Sequence, residues 1–232
     1  MYLTYKNIGE TPLECLERAR LEYGKSEAIP MTYAGRLDPM AHGLLIILVG
    51  DDCKDKQKYL NMDKEYEVEV LFGVSTDTYD ILGKIISIEK KNFDPINLEK
   101  YKGKFIQEYP RYSSKIIAMK EIPDKDDMPT KEVEIYAIEQ IGSRALSGQR
   151  ISDFILENIK KVNGDFRQGE ITPFWQDFAK KYPIEKFIII KLKISCSSGT
   201  YMRSLAHRIG SDIGIPALAF SIKRTRINGY KI

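Results

Sequence analysis

The residues with the clearest capacity for chemistry lie in Tyr33-Ala34-Gly35-Arg36-Leu37-Asp38-Pro39-Met40-Ala41-His42-Gly43, which runs directly into Leu44-Leu45-Ile46-Ile47-Leu48-Val49. A carboxylate can add to an electrophilic carbon or exchange a proton with a substrate. Proline sets its own φ and pushes the residue before it towards extended geometry, so Asp38 is aimed from a loop of defined shape. The six apolar residues that follow are too few to span a membrane, which takes about 20, and suit a strand buried on both faces. A loop anchored to a core strand presents a catalytic side chain rigidly. Taken alone, the stretch reads as an aspartate in a Gly/Pro turn, so the rest of the chain must decide.

Composition narrows the classes. At 232 residues the chain can bury a full core, and 30% charged with 43% hydrophobic residues is the balance of a soluble globular protein. Cys15, Cys53 and Cys196 are odd in number and far apart, which argues against a disulfide framework and for a reducing compartment, so a cytoplasmic location is expected. With only His42 and His207 beside them there is no zinc spacing, and no structural metal is expected. The N-terminal residues lack a signal-peptide layout, and no run is long enough for a transmembrane helix, so no membrane partner is expected. Net charge is only +3, but from residue 186 onward nine Lys/Arg face one acid, a local +8 that leaves −5 for the rest. Such a segment suits phosphate binding; a basic surface with no partner is the equal alternative until motifs are considered.

The elements that would position Asp38 follow from periodicity. Residues Tyr2 to Tyr5 suit a first strand. Thr11-Pro12-Leu13-Glu14 forms a capping box with proline at the first helical position, and Leu13, Leu16, Ala19 and Tyr23 recur at roughly helical spacing before Gly24. Asp51 to Asn61 reads as a charged surface helix. From Glu65 to Phe72, Tyr66, Val68, Val70 and Phe72 alternate with Glu65, Glu67 and Glu69, which marks a strand with one apolar and one acidic face. Ile81 to Glu89 suits a returning strand, Asp94-Pro95 the start of a helix reaching about Lys102, and Lys131 to Ile141 another strand; residues 116–129 receive no assignment. Residues 142–183 read as an inserted helical lobe, with Ile151, Phe154, Ile155, Ile159 and Val162 on one helix face. Its basic residues leave two uses open, RNA contact or a packed helical ornament. Phe187 to Ser195 forms a strand leading to Ser197-Ser198-Gly199-Thr200-Tyr201-Met202-Arg203 at the start of a helix with Leu205, Ile209 and Ile213 inward.

Gly35-Arg36-Leu37-Asp38-Pro39, followed after three residues by Gly43-Leu44-Leu45, resembles the signature of pseudouridine synthases of the TruB type. Cys196-Ser197-x-Gly199-Thr200-Tyr201-x-Arg203 resembles a second, distant block of the same family. Weaker matches are Lys6-Asn7-Ile8-Gly9-Glu10-Thr11, where Asn7 replaces the usual proline, Lys64 to Tyr66 with Thr76-Asp77-Thr78 and Asp80, Pro110 to Lys115, and Ile222-Lys223-Arg224-Thr225. The resemblance covers about two thirds of the chain. It implies a single α+β domain, residues 1–232, with the pseudouridine synthase catalytic fold: a mixed, largely antiparallel sheet flanked by helices. Members that append a C-terminal RNA-binding PUA domain need several dozen more residues, so that domain is expected to be absent.

The implied activity is isomerisation of a T-loop uridine of tRNA to pseudouridine, breaking the C–N glycosidic bond and rejoining the base through C5, without metal or cofactor. The target uridine must first leave its stack. By resemblance Asp38 is the catalytic carboxylate, Arg203 its partner, and Tyr66 the ring beneath the flipped base; Tyr201 and Ile222 line the uracil pocket. Tyr33 stands where many relatives have a histidine that intrudes into the RNA. Lys6, Lys115, Lys223, Arg224 and Arg226 are candidates for phosphate contact, which positions RNA without reading its sequence. The expected partner is the T-arm of tRNA and the expected state a monomer. Whether Asp38 adds to the sugar, adds to the base or removes a sugar proton stays open. Competing readings are a synthase for another RNA, a non-catalytic tRNA-binding or folding protein, and a small-molecule enzyme with an Asp nucleophile.

Overall fold

A computed structural model describes residues 1–117 and 127–231. In chain order the elements are β1 (Tyr2–Lys6), α1 (Pro12–Glu22), β2 (Met31–Ala34), β3 (Ala41–Val49), a 3₁₀ turn (Gly50–Asp55), α2 (Lys56–Leu60), β4 (Lys64–Phe72), β5 (Val74–Thr76) and β6 (Ile85–Ile88). A 3₁₀ turn (Leu98–Tyr101), β7 (Gly103–Glu108), α3 (Ser114–Ile117), β8 (Thr130–Ser147), α4 (Gly148–Ile159), α5 (Gln168–Lys181), β9 (Lys186–Cys196), α6 (Met202–Asp212), β10 (Ala217–Ile227) and β11 (Tyr230–Lys231) follow. The main sheet runs β1-β3-β10-β4-β9-β8-β7, with β2 on β3 and β11 on β10. Only β3 and β10 pair in parallel among the described strands, so the sheet is mixed and largely antiparallel, with helices at its flanks, as the resemblance implied. No helix among the described residues is long and apolar enough to cross a membrane.

Each face of the sheet buries its own core. On one, Tyr66, Val68 and Val70 of β4 and Leu192, Ile194 and Cys196 of β9 pack with Leu205 and Ile209 of α6. On the other, α4 and α5 lay Ile151, Ile155 and Trp175 against Leu71, Phe187, Ile189, Leu218 and Phe220. The alternation in β4 therefore stops at Leu71, because the helices cover that end of the otherwise acidic face. Beyond them the same face is polar: Glu65, Glu67 and Glu69 meet Lys193, Lys191 and Arg144. Strand β3 is buried on both sides, Leu45 and Ile47 under α1 and Leu44, Ile46 and Leu48 on the opposite side.

Local expectations hold where the pattern is strong. Thr11 caps α1 and both halves of the capping box are present. The inward residues of α1 are Cys15, Leu16 and Ala19, however, and Leu13 is exposed. The expected Asp51 to Asn61 helix is instead a 3₁₀ turn followed by the short α2. The expected returning strand shrinks to Ile85–Ile88, which pairs with β5 in a separate two-stranded sheet. Asp94-Pro95 starts no helix; Asn97, whose side chain accepts from the Glu99 amide, caps one 3₁₀ turn instead. Strand β8 continues past Ile141 to Ser147, bent by irregularities near Ile135 and Gln140, so the first residues of the 142–183 stretch belong to the sheet. Of the unassigned 116–129 stretch, 118–126 lies outside the described residues.

Candidate active site

The connection between β2 and β3 carries Asp38, and two buried cations hold its backbone. Gly35 turns the chain with φ +81°. From below, Lys6 donates to the carbonyls of Asn7 (3.0 Å), Pro39 (3.2 Å) and Ala41 (2.6 Å). From β10, Arg224 donates to the carbonyls of Leu44 (2.8 Å), Arg36 (3.3 Å) and Gly35 (3.1 Å). Close approach makes this possible: a Cβ on Gly43 (φ +105°) would stand 2.3 Å from the Arg224 carbonyl oxygen. Both cations were expected to meet phosphate. Lys6 is fully buried and Arg224 is 1% exposed, which keeps both away from a phosphate outside, and the expectation is corrected. Burial lowers the Lys6 pKa to about 8, which leaves the ammonium charged at neutral pH.

The Asp38 carboxylate meets Arg203, which sits in the first turn of α6. Arg203 Nη2 donates to Oδ1 at 3.1 Å, and Nε lies at ion-pair distance, 2.8 Å, from Oδ2 without a hydrogen bond's geometry. Arg203 Nη1 donates to the Thr78 carbonyl at 3.0 Å. Behind it lies a second carboxylate, Asp80, whose Oδ2 is 3.7 Å from Nε and whose Oδ1 accepts from Thr78 Oγ1 (2.7 Å) and the Leu82 amide (2.9 Å). Burial alone would weaken the charge on Arg203, but Asp38 and Asp80 more than offset it and hold its pKa above the ordinary value. Burial raises the pKa of Asp80 against the pull of Arg203. Tyr79, between Thr78 and Asp80, is held at φ +63° with its ring stacked on His207 at 4.0 Å. Asp80 was not singled out from sequence as a site residue; the Thr76-x-Thr78-x-Asp80 cluster was the available signal.

Asp38 opens on a cavity of about 790 Å³. Tyr66, Tyr201, Ile222 and Lys115 line it. Tyr66 and Ile222 come from adjacent strands, while Tyr201 is held through its backbone, whose N–H and carbonyl pair with the Gln107 amide at 2.8 and 3.1 Å. Burial raises the pKa of the Tyr66 phenol, so the ring is neutral at physiological pH. Lys115 Nζ donates to Tyr109 Oη at 2.8 Å. Tyr109 packs edge-on against Tyr201 with centroids 5.3 Å apart. Arg36, Lys64 and Lys131 add three cations to the lining, and among the described residues the only acid lining it is Asp38.

Other expected contacts lie elsewhere. Tyr33 is absent from the cavity lining: it packs by the α1 cluster, with Lys56 Nζ 5.4 Å from its ring centroid. Ile222 faces the cavity, so Lys223 falls on the opposite face of β10, across from Glu67. Arg226 is drawn to Glu65 at 3.5 Å. Neither lines the cavity.

Asp38 is thus clamped by a buried guanidinium at the mouth of a cationic cavity on a mixed sheet. Residues 26–152 match the family described as TruB family pseudouridylate synthase (N terminal domain). The tRNA pseudouridine synthase B of Lactobacillus gasseri is 31% identical over 98% of this chain and 68% of its own length, and that of Aquifex aeolicus 30% over the same shares. The solved Cbf5-Nop10-Gar1 complex superposes on 98% of this chain with a TM-score of 0.59 at 17% identity, a likeness of fold. A second, described as an H/ACA RNP bound to a substrate RNA containing 2'-deoxyuridine, gives 0.56 at 17% identity. This chain spans about half the length of each of those solved chains, 48% and 47%. The chain belongs to the TruB family of pseudouridylate synthases, and it is accordingly an isomerase.

Proposed function

We propose that this protein is a tRNA pseudouridine synthase that isomerises a T-loop uridine, with Asp38 as its catalytic carboxylate. The observation that carries this reading is the Asp38–Arg203 pair at the mouth of the cavity lined by Tyr66, Tyr201 and Ile222, in a chain of this family. The names of the relatives support tRNA as the substrate.

The roles follow from position. Arg203 orients Asp38, and Asp80 orients Arg203 in turn. Tyr66 supplies a ring for the flipped uracil and retains the detached base; with its phenol protonated it can donate but not accept a proton. Tyr201 and Ile222 close the slot. The cations around the mouth favour a polyanion over a small neutral substrate. The working unit in this reading is a monomer. The free thiols of Cys15, Cys53 and Cys196 suit a reducing cytoplasm.

The test is pseudouridine formation at single-nucleotide resolution on an unmodified tRNA transcript, with wild type and Asp38→Asn in parallel. Conversion of one T-loop uridine by wild type and none by Asp38→Asn supports the reading. Conversion at another position, or equal conversion by the variant, would overturn the target or the catalytic assignment respectively.

A further inference from the structure

Lys6, Lys115, Lys223, Arg224 and Arg226 are the cations with a motif-based claim to phosphate; burial takes Lys6 and Arg224 out of reach, and Lys223 and Arg226 lie off the cavity. That leaves open what grips the RNA backbone at the reacting nucleotide. Lys64 and Arg224 line the cavity, but Lys64 Nζ donates to the carbonyls of Leu60 and Met62 and Arg224 is committed to three carbonyls. Both supply positive potential, but most of their donors are committed to backbone carbonyls.

Arg36 differs from both. It is exposed and lines the cavity, and among the described residues its guanidinium has no hydrogen bond or ion pair. Its backbone is held, because its own carbonyl accepts from Arg224 Nη1. The residue is therefore a pinned base with a free, five-donor fork, two positions before Asp38. Lys115 and Lys131 spend one donor each, on Tyr109 Oη and the Ser198 carbonyl, and have others to offer.

We propose that Arg36 is a phosphate-gripping residue of the active site, taking a backbone phosphate next to the flipped nucleotide, with Lys115 and Lys131 completing the cationic rim. The ligand is an RNA phosphodiester, recognised by charge and geometry and not by base identity. Because Arg36 and Asp38 share one clamped loop, a phosphate held by the first sets the position of the sugar relative to the second. The proposal rests on the RNA-directed reading above, but binding and conversion are separable.

The experiment measures the affinity of wild type, Arg36→Gln and Arg36→Lys for an unmodified tRNA transcript across a potassium chloride series. Lys90→Gln, an exposed charge loss outside the cavity lining, serves as control. Losing one phosphate contact should weaken binding about five- to tenfold at low salt and flatten the log–log salt slope by about 0.7–1. Arg36→Lys should recover the slope, and Lys90→Gln should match wild type. An unchanged slope for Arg36→Gln, or the same slope loss in Lys90→Gln, overturns the proposal. Uridine 5′-monophosphate is titrated as well; an effect of Arg36→Gln on this mononucleotide but not on the transcript also overturns it. If wild type binds the transcript but converts no uridine, the functional reading fails while the slopes still decide Arg36. If wild type binds no RNA, both fail.

Discussion

At the scale of residues, the site depends on charges that are useful only in company. Arg203 is 3% exposed and faces two carboxylates, and removing either partner leaves a buried charge less well matched. Asp80→Asn preserves shape but removes the rear charge that orients Arg203, so turnover should fall about ten- to a hundredfold while the protein stays folded. Single-turnover conversion beside a melting curve checks this; a wild-type rate would remove Asp80 from the mechanism. A different residue governs acid stability. Burial lowers the His42 pKa from 6.5 to about 4, with Nδ1 2.6 Å from Tyr5 Oη. The unfolded chain takes up this proton near pH 6.5 and the folded chain only near 4, so stability should decline as pH falls through that window. Midpoints from pH 7 to 4.5 should fall less steeply for His42→Gln than for wild type.

At the scale of elements, the Asp38 connection is shaped by its neighbours more than by its own residues. Lys6 from the end of β1 and Arg224 from β10 bond carbonyls of Gly35, Arg36 and Pro39 in the turn and of Ala41 and Leu44 at the start of β3. Lys6→Met retains the apolar stem and removes the donors. Each carbonyl left without a partner costs about 1–3 kcal/mol, and a loosened loop misplaces Asp38. We expect a lower urea midpoint together with slower conversion at saturating RNA. A stability loss with full activity would show that the loop needs no such brace.

At the scale of the molecule, the two cores meet through the sheet. The sole tryptophan, Trp175, is fully buried in the α4–α5 layer against residues of β4, β9 and β10. Unfolding followed by its fluorescence should coincide with loss of far-ultraviolet dichroism, because the helices share their core with the central strands. A fluorescence transition at lower denaturant would mean that the helical pair melts by itself. Trp175→Ala should cost about 3–5 kcal/mol.

The sequence by itself determined what depends on neighbours in the chain. The Thr11 cap, the β4 alternation from Tyr66 to Val70 and the doubly buried β3 were legible because caps and burial periods are local. The two blocks around Asp38 and Arg203 were legible as family motifs, and the structure brings those residues, 165 positions apart, into contact. Tertiary structure alone decided which cations are free. Lys6, Arg224 and Arg36 look alike in a sequence, yet the first two point inward at backbone carbonyls and the third outward into the cavity. It also decided the ends of β8 and the place of α4 and α5, since a strand continues only where a partner strand continues beside it. Asp80 escaped notice for the same reason: its role rests on a guanidinium that arrives from α6, and no spacing in the chain records that meeting.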